Sequence, residues 1–193
     1  MSKIFYTSDL HLGNTNIITY EDRPYKTVAK MNADLIYKWN AKVGRNDEVY
    51  VLGDFSFKGV QETISFLEQL NGQIHLVHGN HDAFLDKQSF REYLKDYGEG
   101  EKAPWIVDEG WYKKINDNGR EVVLCHFPIM YWDGMDDRGA YHLYGHIHSR
   151  LNMQHPHKDA FNVGIDVNNY MPATLDELLN KRWLQTPTKE EKR

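Results

Sequence analysis

Five short apolar runs of this chain end in side chains that can carry protons or hold metals. They are Asp9 and His11 in SDLHLGN, Asp54 in VLGDFSF, and Asn80, His81 and Asp82 in GNHD, then His126 in LCHFP and His146 and His148 in YGHIHS. Carboxylate oxygen, amide oxygen and neutral imidazole together suit a borderline divalent ion such as Mn²⁺, Fe²⁺, Zn²⁺ or Ni²⁺. In Asp9-x-His11 and His146-x-His148 the spacing is two, and residues two apart on an extended chain point to the same side, so each pair can converge on one point. Seven candidate ligands, Asp9, His11, Asp54, Asn80, His126, His146 and His148, exceed one tetrahedral site. Two metal ions sharing a carboxylate account for that number better.

Taken singly, each residue also has a plain structural use. Asp9, Asp54 and Asp82 could form turns or cap helices, and Gly79-Asn80 is an ordinary turn pair. Cys125 beside His126 does not make a nucleophile pair, because adjacent strand residues point opposite ways; it reads as a small buried hydrophobe. His142, His155 and His157 fit no motif. His75 reads as a half-exposed strand residue, and His78 as at most a support for the site. Trp39, Phe66 and Trp105 read as core. Phe127, Tyr131, Trp132 and Tyr170 flank the motif loops, with packing and pocket lining as equal readings.

The elements that must position these groups follow from periodicity. KIFYTSD, EVYVLGD and QIHLVHG are strand-length apolar runs. Between them, Val28, Met31, Leu35, Ile36 and Trp39, and then Val60, Ile64, Leu67 and Leu70, recur at helical spacing. Phe84–Tyr97 is expected to be partly helical. GWYKKI and REVVLCH, separated by NDNG, read as a hairpin. AYHLYGH and AFNVGIDV read as further strands, and Thr174-x-x-Glu177 as a capping box opening a last helix. The expectation is an α/β chain of two packed mixed sheets flanked by helices, in one domain over residues 1–193.

Composition bounds the function. The chain has 193 residues, 40% of them hydrophobic, and a net charge of −5, so it can bury a core and lacks the basic footprint of a nucleic-acid binder. One cysteine allows no internal disulfide. The N-terminus lacks a signal-peptide apolar region, and no apolar run reaches membrane-spanning length. The expectation is a cytoplasmic protein, with a solvated tail at KEEKR.

The ordered motifs D-x-H, G-D, G-N-H-D, H and G-H-x-H resemble those of the calcineurin-like metallophosphoesterase superfamily. NIITYEDRPY, MNADLIYKWN and NVGIDVNNYMP are similar to a small, single-domain branch of it in bacteria and phages. The resemblance implies an α/β/β/α sandwich and two divalent transition-metal ions, Mn²⁺ first, with Fe, Zn or Ni as alternatives. It implies that Asp9, His11 and His148 hold one ion, that Asn80, His126 and His146 hold the other, and that Asp54 bridges them. A metal-bridged hydroxide would attack phosphorus, His81 would act as general acid, and Asp82 would orient it. The phosphoprotein phosphatases of this superfamily follow G-D with Asp-Arg, whereas GDFSFKG has no arginine. That favours a phosphodiesterase acting on small or nucleotide-like esters, with Arg23 and Arg138 as replacement phosphate clamps. A phosphomonoesterase, a nuclease and a non-catalytic protein-binding module of the same fold are the alternatives.

Overall fold

The computed structural model describes residues 2–97, 106–150 and 153–185. Trp105 and the KEEKR tail lie outside them. Strands β1 (Ile4–Thr7), β2 (Glu48–Leu52), β3 (Gln73–Val77) and β4 (Ile106–Gly110) form one sheet in that order, and every neighbouring pair is parallel. Helices α1 (Asn16–Tyr20) and α2 (Val28–Lys42) connect β1 to β2, α3 (Val60–Leu67) connects β2 to β3, and α4 (Gln88–Tyr97) follows β3. Strands β5 (Lys113–Asp117), β6 (Arg120–Leu124), β7 (Tyr141–Tyr144) and β8 (Ala160–Asn162) form the second sheet. There β5 and β6 are antiparallel and the other pairs parallel. The expected pair of mixed sheets is therefore one parallel and one mixed. A parallel pair needs a long crossover, and the helical periods between β1, β2 and β3 supply them. Helix α5 (Leu175–Gln185) closes the described chain.

Strand alternation sorts the core into layers. Phe5, Val49, Val51, Ile74 and Leu76 face α1–α4, where they meet Met31, Leu35, Trp39, Ile64, Leu67 and Phe90. The intervening Tyr6, Tyr50, Leu52 and Val77 face the second sheet and meet Val122, Leu124, Leu143 and Val163, with Leu175 and Leu178 of α5 joining them. Because both faces of β1, β2 and β3 are buried, these strands read as continuous apolar runs. The other face of the second sheet carries Val123, covered by Trp132 and Ala140 of the β6–β7 connection.

Local signals place most boundaries. The Thr27 hydroxyl accepts from the Lys30 N–H at 3.3 Å and starts α2. Thr174 and Glu177 make the reciprocal capping-box bonds, 2.8 and 3.3 Å, that open α5. Asn118 and Gly119, with φ of 52° and 86°, give the β5–β6 hairpin the left-handed pair its tight turn requires. The strand expected across AFNVGIDV stops early: only Ala160–Asn162 is extended, and Ile165–Val167 forms a 3-10 turn. The side chain of Asn162 accepts from Gly164 N, and that of Asn168 donates to the carbonyls of Asn162 and Gly164. These amides satisfy the backbone in place of a ladder. Strand β4 and helix α1 lacked a periodic signature.

Candidate metal centre

All five motif loops leave the C-terminal ends of β1, β2, β3, β6 and β7. The two sheets thus bring residues distant in sequence to one edge, where open α/β folds bind ligands. The loops are tied by their backbones: Asp9 N donates to Gly53 O, His11 N to Asp54 O and Gly145 N to His126 O, all at 2.9–3.1 Å. The path is strained. Asp9, His11, Asp54, His146 and His148 all have φ between 50° and 69°, five of the nine non-glycine residues in that region among those described. Such conformations cost of order 1 kcal/mol each and persist where surrounding structure enforces them. Close approach needs glycine too. A Cβ on Gly79 would lie 2.4 Å from Asp54 Oδ1, and one on Gly145 would lie 1.9 Å from Ser8 Oγ and 2.5 Å from Asp9 Oδ2.

The side chains converge on two buried groups. One ligand atom each from Asp9, His11 and His148 lie within 4.8 Å of one another, and so do those of Asp9, Asp54 and His126. Asp54 Oδ2 lies between the two sides, 3.5 Å from His11 Nε2 and 3.6 Å from His126 Nε2. Asn80 Oδ1 lies 2.9 Å from His126 Nε2 and 3.0 Å from His146 Nδ1. Adjacent ligands on an ion with bonds near 2.1 Å stand about 3 Å apart, so these separations fit a shared ion.

Two observations test whether the residues suit a cation. Both ring nitrogens of His11 are buried and have no hydrogen-bond partner among the described residues, which costs about 1–3 kcal/mol for each unpaired group. Burial also drives the His11 pKa down to about 2, so the ring is neutral with a lone pair to offer. In His126, Nδ1 faces Leu52 O at 2.8 Å and must carry the proton, leaving the Nε2 lone pair against the Asn80 oxygen. Burial lowers the His126 pKa, which disfavours a second proton there. A cation resolves the clash of lone pairs, and the donor set fits a divalent ion. His148 Nδ1 bonds Asp166 Oδ2 at 2.8 Å, a carboxylate–histidine arrangement that fixes the tautomer and turns Nε2 inward. Asp9 has its pKa pushed up to about 7, chiefly by burial, and that of Asp54 is raised by burial as well. Both are carboxylates that a nearby cation would return to the ionised form.

Several expected roles change. Arg23 is no phosphate clamp: it is buried, makes a bidentate pair with Asp166 at 2.8 and 3.0 Å, and donates to the carbonyls of Asp9 and Leu10. It holds the first ligand loop in its strained path. Arg138 is exposed and spends its guanidinium on Glu121, Asp133 and Asp137. Asp82 does not orient His81. Its oxygens accept from the backbone N–H groups of Asp54, Phe55 and Gly79, so it joins the second and third loops. His81 itself is exposed, its N–H donates to Asp54 Oδ1, and its ring rests against His11 and Phe57 with centroids 5.7 and 5.2 Å apart.

The other histidines fall outside the site. His75 is buried, not half-exposed; it stacks on Tyr50 and bonds Glu109 at 2.7 Å. His78 pairs with Asp108, and buried His142 accepts from Ile129 N. Asp166 and Glu21, which group with His148, and Phe57, which rests on His81, stand outside the motifs. A carboxylate inside the apolar run NVGIDV was the signal available for Asp166.

The profile of the family described as calcineurin-like phosphoesterase matches residues 2–141. The chain belongs to the calcineurin-like phosphoesterase family. The matched stretch includes Asp9, His11, Asp54, Asn80, His81 and His126; His146 and His148 lie just beyond it, in the same ligand cluster. The chain is 34% identical over 182 residues to an uncharacterized protein of Methanocaldococcus jannaschii, covering 91% of this chain and 89% of the relative. It is 28% identical over 193 residues to the gene 66 protein of Mycobacterium phage L5, covering 86% and 87%. Its fold matches a protein of unknown function from Aquifex aeolicus with a TM-score of 0.67 at 21% identity, over 94% of this chain and 100% of that one. Among the described residues, no helix of this family member is long and apolar enough to cross a membrane.

Proposed function

We propose that the chain is a dinuclear metal-dependent phosphohydrolase, a phosphodiesterase acting on small or nucleotide-like esters. The observation that carries the reading is the placement of Asp54 Oδ2 between the unpartnered His11 ring and His126. In this reading Asp9, His11 and His148 hold one ion, Asn80, His126 and His146 hold the second, and Asp54 serves both. Mn²⁺ is the first choice, with Fe, Zn and Ni as alternatives for the same donors. Two such ions, when bound, supply an acidified water as nucleophile and positive charge for the phosphoryl oxygens.

The chain supplies the rest. His81 is accessible, and its backbone is tied to the shared carboxylate Asp54. Its imidazole can deliver a proton to the departing oxygen. Asp82 holds the loop that carries it. Arg23 and Arg138 are both engaged by carboxylates, so neither is free to compensate a dianionic monoester. That supports the singly charged diester as substrate.

The test is hydrolysis of bis-(p-nitrophenyl) phosphate against p-nitrophenyl phosphate. Expected is hydrolysis of the diester that needs added Mn²⁺, stops with EDTA and exceeds that of the monoester. No hydrolysis of either ester under Mn²⁺, Fe²⁺, Zn²⁺ or Ni²⁺ would sink the reading, whereas a monoester preference would sink only the diester part.

A further inference from the structure

Phe57 is an apolar ring left 50% exposed beside a centre otherwise made of carboxylates, amides and imidazoles. It is no loose loop residue. Its N–H donates to Leu12 O at 2.9 Å, and Leu12 bridges Ser56 in parallel register. The first two ligand loops therefore pair at this point and hold Phe57 on a short rigid strut. Among the described residues the ring rests on one side of the centre, on His81 at 5.2 Å and His11 at 6.3 Å between centroids. At the other side a second ring, Phe127, rests against His126 and His146 at 5.0 and 4.8 Å and is less exposed.

The asymmetry has a chemical meaning. His81 is the group placed to protonate the leaving oxygen, so the ring in contact with it borders the space the leaving group enters. A fixed, half-exposed aromatic face there offers stacking to a flat ring system, and such stacking tolerates any base because each has a π-face. We propose that Phe57 is a specificity-determining residue that stacks the planar base of a nucleoside leaving group, whose sugar oxygen departs from phosphorus. The inference rests on the phosphohydrolase reading for the identity of the leaving side.

The experiment measures binding, apart from turnover. Calorimetry on the full chain loaded with Mn²⁺ compares adenosine 5′-monophosphate with ribose 5-phosphate, which has the same phosphate and sugar without the base. Expected is about a tenfold tighter Kd for the nucleotide, in line with the worth of one base–aromatic stack. Phe57→Ala should bring the nucleotide to the level of ribose 5-phosphate, Phe57→Leu should do nearly the same although it keeps apolar bulk, and Phe57→Trp should keep the preference. Equal affinities in the unaltered chain, or a preference that survives Phe57→Ala, overturns the proposal. A Phe57-dependent preference in a chain that hydrolyses neither p-nitrophenyl ester would uphold base stacking while removing the enzyme reading, so the two failures are distinguishable.

Discussion

His81 differs from the other histidines of its own segment by what surrounds it. His75 is buried between Tyr50 and Glu109, and His78 is paired with Asp108. The His81 ring alone faces solvent next to the clustered ligands. If it delivers the proton, His81→Ala should lower kcat on an alkyl diester by about 10²–10⁴-fold, with a smaller loss on p-nitrophenyl esters, whose leaving group needs less help. Bound Mn²⁺, measured by elemental analysis, should stay unchanged, because the ring is not among the clustered ligand atoms. A parallel loss of metal would assign the ring to holding the ion. At this scale residue types and order point to Asp9, His11, Asp54, Asn80, His126, His146 and His148, and the fold brings these side chains together. Types and order did not tell direction. Asp82, next to His81, and Arg23, in the EDRP loop, are both held by backbone: Asp82 accepts from three N–H groups, and Arg23 donates to two carbonyls while pairing with the Asp166 side chain.

The loops depend on pins that sequence order hides. Arg23 and Asp166 are 143 positions apart, and no local pattern links them. The pair is buried, with side chains 0% and 2% exposed, and removing one partner of such a pair leaves an uncompensated charge. Arg23→Met should therefore cost about 3–5 kcal/mol in urea unfolding of the metal-free chain and weaken Mn²⁺ binding, because the Asp9–Leu10 carbonyls lose their anchor. Adding Asp166→Asn should recover part of the stability; no recovery would mean that the pair is not the cause. A second pin is His142 on β7. Both of its ring nitrogens are engaged, by Val123 O and Ile129 N, which docks the β6–β7 connection on the sheet. Burial lowers its pKa to about 4, below the unfolded value near 6.5. The unfolded chain then binds the proton first as pH falls, so this stability is full above pH 6.5, is lost between about 6.5 and 4, and is gone below. The shift sets an upper bound of about 3 kcal/mol. Melting curves of metal-free protein from pH 7.5 to 4.5 should fall more steeply for the unaltered chain than for His142→Gln; parallel curves would remove His142 from the account. Strands β1–β3 and their crossovers were legible here because these strands are buried on both faces, whereas β4, half-buried and carrying Asp108 and Glu109, was not. The broken strand at Asn162 was not, since FNVGIDV alternates as a strand does while Asn162 and Asn168 take its backbone bonds.

At the scale of the molecule, the strained ligand loops and the buried polar cluster make sense as a structure completed by cations. Burial holds the Asp9 pKa at about 7 in the metal-free chain, with the charge of Asp54 adding to the rise. A carboxylate raised in this way favours the folded state below its unfolded value near 4, and the contribution is lost as pH climbs through 7. Above that pH the metal-free fold carries an ionised, buried Asp9 beside Asp54 and a His11 ring with no hydrogen-bond partner among the described residues. A divalent ion needs Asp9 ionised and His11 neutral. His11 is neutral throughout, so below pH 7 binding must expel the Asp9 proton, and above pH 7 it need not. Metal affinity, and the stabilisation that follows from it, should therefore rise from pH 6 to pH 8. At a free Mn²⁺ concentration 100 times Kd the gain is about 2.7 kcal/mol, or roughly 5–10 °C in Tm for a chain of this size. Differential scanning calorimetry with and without Mn²⁺ at pH 6 and pH 8 reads this directly. The Tm shift should be larger at pH 8, reverse with EDTA, and largely disappear in Asp54→Asn, which removes the charge standing between the two ligand sets. An equal shift at both pH values, or a full shift in Asp54→Asn, would mean that the stabilising ion binds elsewhere on this acidic surface.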